Sequence, residues 1–226
     1  NCQSETSEDS NTKSSNRVKN VFFIDTVEKI QLLKQYFKEL EQGLEATSNR
    51  FIHVGIDSEF SNSKEDGCAV IQIAVNNYVF CLDTMFKRQH PDQLKMYNLE
   101  IVFLKYLFET KRFLKVVFAF RNDWKELYKF SNATIIRSNC NSFIDIQDTM
   151  MNIKAFNDLI TSHNKNQPGL SCIVKLFLKY PLDKREQCSN WEKRPLSRLQ
   201  VIYAAIDAVV LLDILHAMCI SYKSFA

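Results

Sequence analysis

Tyr203 and Asp207 stand four residues apart near the middle of an unusually apolar stretch, residues 199–220, LQVIYAAIDAVVLLDILHAMCI. With neither Gly nor Pro, the stretch reads as one helix, and the spacing puts both side chains on one face, a turn apart. A carboxylate set that deep among apolar residues costs several kcal/mol unless a metal ion or a strong donor pairs with it. Matching acids occur elsewhere: Asp57 and Glu59 in FIHVGIDSEF, and Asp123 in KVVFAFRNDWKEL. Residues two apart on a strand point to one side, so Asp57 and Glu59 converge on one spot and repel unless a cation holds them. Four acids and a tyrosine at the edges of apolar segments point to divalent-metal phosphodiester chemistry. All the ligands are hard oxygens, which favours Mg²⁺ or Mn²⁺ over zinc.

Each residue also has a plainer account. A strand running out into a polar loop carries acids such as Asp57 and Glu59 without any metal. Asp123 precedes a helical segment and suits an N-cap or first-turn position against the helix dipole. Tyr203 and Asp207 are harder to explain away, because their helix offers no other reason for a buried acid. Asp213, six residues further on, lies off their face and reads as a solvated or capping acid. His53, His90, His163 and His216 show no ligand spacing and read as structural or surface residues.

The elements that must position these residues follow from punctuation and period. Residues 1–17, NCQSETSEDSNTKSSNR, are almost devoid of apolar side chains and read as a disordered leader, with the folded domain over 18–226. Strands are expected over 21–24, 51–56, 68–75 and 78–82, the last two joined at Asn76-Asn77 as a hairpin. Thr26 caps a helix with Glu28 in its first turn. Further helices are expected over 98–109, 123–130, 170–178 and 197–220, and strands over 113–120 and, more weakly, 142–146. Pro168-Gly169 and the charged run 183–194 read as the least regular loops. A hairpin followed by alternating helices and strands implies an α/β fold: a mixed central sheet with helices on both faces.

Composition narrows the function. A net charge of +3 over 226 residues suits local contact with a phosphate backbone and argues against a polybasic binder. Seven dispersed cysteines without a CxxC read as reduced thiols, with Cys68, Cys81 and Cys219 as packing residues. No signal peptide is visible, and a chain beginning without Met reads as part of a longer protein. The 199–220 stretch is long enough for a membrane span, but Gln200, Asp207, Asp213 and His216 make it a core helix, so no membrane is expected.

The order Asp-x-Glu, a later Asp, then Tyr-xxx-Asp resembles the DEDD-type 3′–5′ exonucleases, in the subclass with a tyrosine in the third motif. The resemblance runs from about residue 21 to 220. GIDSEF with AVIQIAV is similar to the first motif and KVVFAFRNDWKEL to the second. CSNWEKRPLSRLQVIYAAIDA resembles the third motif of the ribonuclease D and Werner-like branch, and its wording is most like the mutator/Nibbler exonucleases, which trim small-RNA 3′ ends. Val117 and Ala119 stand where that family usually has small glycines.

The resemblance implies a ribonuclease-H-like fold and a two-metal mechanism. Asp57, Glu59 and Asp207 would hold one ion, Asp57 would bridge to a second, and Asp123 would act on the second mostly through water. Tyr203 would orient and help deprotonate the attacking water. It further implies release of 5′-mononucleotides from the 3′ end of single-stranded RNA, Argonaute-type small-RNA partners and cytoplasmic residence with a nuclear fraction. A monomer suffices. Nucleic-acid contacts are expected from Phe60, by stacking, and from Arg121, Lys193, Arg194 and Arg198. Phe60 suits core packing equally well, and Glu186 and Glu192 dilute the basic run, which reads equally as a solvated loop. Trp191, Arg194, Pro195 and Leu196 look structural in the family pattern. A DNA exonuclease, or a non-catalytic interaction module on the same fold, remains open.

Overall fold

The computed structural model describes residues 20–44, 50–61, 67–85, 91–161 and 168–225; the expected leader, His90 and His163 lie outside them. Six strands form one mixed sheet in the order β1-β4-β3-β2-β5-β6. They are β1 (Asn20–Ile24), β2 (Ile52–Phe60), β3 (Cys68–Val75), β4 (Tyr78–Asp83), β5 (Phe113–Val117) and β6 (Phe143–Asp145). The β2–β3 and β3–β4 pairs are antiparallel, whereas β1–β4, β2–β5 and β5–β6 are parallel. The expected hairpin is present, and Asn76 takes the left-handed conformation (φ 53) that such a turn needs.

Seven α-helices complete the described chain: α1 (Val27–Gln42), α2 (Pro91–Glu109), α3 (Arg121–Phe130), α4 (Ile146–Asn152), α5 (Lys154–Thr161), α6 (Leu170–Leu178) and α7 (Arg198–Phe225). The Thr26 side chain accepts from the Lys29 amide, so the cap on α1 is where the sequence puts it. One face of the sheet buries Ile56, Ile71, Ile73 and Leu82 under Phe37 of α1 and Phe103 and Leu107 of α2. The opposite face buries Val70, Ala74 and Val79 under Ala204, Ala205 and Ala208 of α7. Beyond this, Ile146, Phe156 and Ile173 of α4, α5 and α6 pack with Leu211 and Ile214 of α7. α7 is long and apolar enough to cross a bilayer by composition, and the fold instead spends it as a core helix against the sheet.

Several expectations change. The run 113–120 is a strand only to Val117, because Ala119 turns left-handed (φ 51) and Phe120 leads directly into α3. α2 starts at Pro91 rather than at 98, with proline in the first-turn position it tolerates. α4 and α5 are short and follow one another, so neither shows a full helical period in the sequence. Cys219 is exposed rather than packed, whereas Cys68 and Cys81 are buried as expected.

Candidate active site

β2 does not stop before the acids; it carries them to its end, with Asp57 and Glu59 on the face that α7 covers. α7 lies very close there. A Cβ on Gly55 would sit 2.2 Å from the Ala208 carbonyl oxygen, so the absence of a side chain at 55 lets α7 bring Asp207 against the strand. The result is three carboxylates, of Asp57, Glu59 and Asp207, offering oxygens within 4.8 Å of one another. Glu59 and Asp207 are buried, and Oδ1 of Asp207 has no hydrogen-bond partner.

Such a cluster cannot hold three negative charges unaided. Burial raises the Asp57 carboxyl well above its ordinary range, and the charges of Asp207 and Asp123 add to this. Glu59 is pushed up to about 10 by burial and then by Asp57. Burial raises Asp207 too, partly offset by hydrogen bonding from Tyr203 and by the positive charge of Lys184. The Tyr203 phenol is held protonated by burial and by Asp207. Clustered acids with an orphaned buried oxygen, and no ion pair to any of the three among the described residues, fit a divalent metal as the missing group.

Asp123 stands slightly apart from this trio. It sits in the first turn of α3, buried, and accepts a 2.6 Å hydrogen bond from Ser58 Oγ, whose side chain alternates away from those of Asp57 and Glu59. The first-turn position foreseen as the plain account is therefore correct, and the charge of Asp123 still reaches Asp57 and Glu59. Burial, resisted by the Ser58 bond, raises Asp123 to about 6.

The residues expected to touch nucleic acid differ in their surroundings. Phe60, last in β2, is 38% exposed and lies outside the core. Arg121, Lys193 and Arg198 are exposed. Arg194 is a correction: Asp83 takes its Nε and Nη2 at 2.8 and 2.6 Å, Trp191 and Lys193 carbonyls take Nη1, and the Ala69 carbonyl takes Nη2. A guanidinium has five N–H donors, so none is left for a phosphate. The Ala69 carbonyl that takes part lies on the β4 side of β3, where it also accepts from the Thr84 amide at 3.2 Å.

The loop 183–197 is fastened over the site at further points. Ser61 Oγ donates to Glu192 at 2.6 Å, and Gln200 Nε2 reaches Ser189 Oγ and the Asn190 carbonyl, both at 3.0 Å. Trp191 is buried with its ring 6.0 Å from that of Tyr203, in keeping with a structural role. Three residues at or around the site carry no signal that the sequence reading used. Ser58 lay unnoticed between the two acids. Gln72, directly opposite Asp57 and fully buried with neither amide atom hydrogen-bonded, was a polar residue inside AVIQIAV. Asp145 ends β6, and an acid before IQDTMMN was a readable N-cap signal.

A 3′–5′ exonuclease family model matches residues 24–219. The exonuclease mut-7 of Caenorhabditis elegans is 29% identical over 174 residues, covering 72% of this chain and 18% of that protein. The mut-7 homolog of Aedes aegypti is 30% identical over 175 residues, covering 73% and 23%. The chain thus spans less than a quarter of either relative. Among solved structures, the Aedes aegypti Nibbler EXO domain superposes with a TM-score of 0.67 at 24% identity, covering 88% of this chain and 86% of that one. Escherichia coli RNase D superposes with a TM-score of 0.63 at 18% identity, covering 91% and 46%. With the family model matched over nearly all of the folded chain, and its acids gathered on β2, α3 and α7, this chain belongs to the 3′–5′ exonucleases.

Proposed function

We propose that the domain removes nucleotides one at a time from the 3′ end of single-stranded RNA, with the 3′ ends of small RNAs as its substrates. The observation that carries the reading is the convergence of Asp57, Glu59 and Asp207 within 4.8 Å, beside Tyr203. Asp57, Glu59 and Asp207 would hold one Mg²⁺ or Mn²⁺, with Asp57 shared toward a second ion served by Asp123. Two such ions supply Lewis-acid stabilisation of the entering and leaving oxygens of an in-line displacement. The chain's own residues do the rest. The Tyr203 hydroxyl, still protonated, holds and orients a water near Asp207. The half-exposed Phe60 ring offers a stacking face to a terminal base, which tolerates any base identity.

RNA as the polymer is supported by similarity to the mut-7 and Nibbler proteins, and by the Trypanosoma brucei RNase D complex with RNA U12, which shares the fold at a TM-score of 0.59. Argonaute-type partners, a monomeric state and cytoplasmic residence belong to the same proposal; the six described cysteines are all free, as a reducing compartment would keep them.

The test is a gel time course on a 5′-labelled single-stranded RNA with Mn²⁺, Mg²⁺ or EDTA, run beside a DNA of the same sequence. The expected result is a metal-dependent ladder shortening from the 3′ end on RNA, faster than on DNA. Faster shortening of the DNA would move the substrate to DNA. An unchanged band from folded protein with either metal would sink the catalytic reading.

A further inference from the structure

We infer that Asp145, which lies outside the acid cluster, is a positioning residue that holds Asp123 in place through the backbone. The inference rests on the exonuclease reading of Asp123. β5 and β6 run parallel, with Val117 opposite Asp145 at their ends. Past that point the chain must reverse quickly to place Asp123 beside β2, and it does so through Ala119, an L-residue with φ 51. The two oxygens of Asp145 grip this turn. Oδ1 accepts from the Ala119 amide at 3.0 Å, and Oδ2 accepts from the Phe120 amide at 2.9 Å. The same carboxylate caps α4, accepting at Oδ1 from Gln147 and Asp148 at 3.0 and 3.4 Å.

α3 has no side-chain cap of its own, and Phe120 is the residue from which it springs. Asp145 therefore anchors the start of the helix whose first turn presents Asp123. Ser58 fixes the Asp123 carboxylate from the other side at 2.6 Å. With the backbone grip removed, Ser58 would still bond the Asp123 carboxylate, but the Ala119 turn that sets the start of α3 would be free to relax. Groups that orient a metal ligand without touching the metal typically contribute about 10- to 100-fold in metal affinity.

The experiment compares the wild-type chain with Asp145→Ala, Asp145→Asn, Asp123→Ala and, as a control, Ile160→Ala, which opens the core between α5 and α7 away from the turn. Each variant is melted, titrated with Mn²⁺ while free ion is followed by EPR, and assayed on labelled RNA. Asp145→Ala is expected to weaken the Asp123-dependent class of Mn²⁺ binding by about 10- to 100-fold, as Asp123→Ala does. Asp145→Asn, which keeps one acceptor oxygen, should fall between. Ile160→Ala should melt lower yet bind Mn²⁺ like wild type. Wild-type Mn²⁺ binding in folded Asp145→Ala would overturn the inference, as would an equal loss in Ile160→Ala. If Asp145→Ala does not fold, Asp145→Asn decides by the same comparison. If Asp123→Ala itself binds Mn²⁺ and turns over RNA like wild type, the reading of the site fails and takes the inference with it.

Discussion

At the residue scale, the acids of the site are placed where burial and neighbouring carboxylates make ionisation costly unless a cation is bound. Asp207 shows the cost most directly, buried with one oxygen unpartnered and facing Asp57 and Glu59. Asp207→Asn should remove that repulsion and raise the metal-free melting temperature by about 2–4 °C at pH 8, for roughly 1 kcal/mol relieved. The same change should lower turnover by about a thousandfold, because it removes a metal ligand worth several kcal/mol to the transition state. Thermal melting in EDTA and single-turnover cleavage check the two halves; near-normal turnover would remove Asp207 from the site. Asp207 and Tyr203 were legible because a polar pair in an apolar helix lacks an ordinary explanation. Ser58 was not, since a serine at a strand end is unremarkable until Asp123 is brought to it from 65 residues away.

At the element scale, the site depends on how closely a helix can lie on a strand. Gly55, Ala204, Ala205 and Ala208 thin the contact between β2 and α7; the Leu212 side chain beside Gly55 could give way, but the nearest atom, the Ala208 carbonyl oxygen, is backbone. Gly55→Ala would force its methyl against the Ala208 carbonyl, so α7 must shift, at a cost of about 1–3 kcal/mol. Because Ala208 adjoins Asp207, metal-dependent turnover should fall together with stability. Urea unfolding and Mn²⁺-dependent cleavage would show this; a variant with wild-type values of both would mean that α7 tolerates the shift. Elements with their own punctuation were readable: the Thr26 cap, the Asn76-Asn77 turn and the apolar run of α7. The end of β5 was not. Val117, Phe118, Ala119 and Phe120 form one apolar run in the sequence, and only the Asp145 bonds reveal that an alanine is held in a conformation costing an L-residue about 1 kcal/mol. Of the two readings of Arg194, the structural one fits and the nucleic-acid one does not, because a charge run does not show that all five donors of one member are already taken.

At the scale of the whole molecule, the raised carboxyls make stability depend on pH. Glu59 titrates at about 10 in the folded chain against an ordinary value of 4.5, and Asp57 and Asp207 are shifted the same way. The folded state therefore holds protons that the unfolded state has released, so this contribution is complete below about pH 4.5 and is lost as pH rises toward 10. In EDTA the melting temperature should fall between pH 5.5 and 8.5, and Mn²⁺ should restore more of it at pH 8.5 because ion binding displaces those protons. Calorimetry with and without Mn²⁺ at the two pH values measures this; a metal increment independent of pH would contradict the shifted carboxyls. The mixed sheet was legible from the alternation of elements, whereas the strand order, which puts β1 beside β4 at the edge, was not, because nothing local encodes it. The order of the elements along the chain has a biosynthetic consequence. Asp57 and Glu59 leave the ribosome long before Asp207, which arrives on α7, the last described helix. A nascent chain can pair its hairpin strands early and still lack the helix that closes the site, so the acid cluster is complete only once α7 has been synthesised and packed.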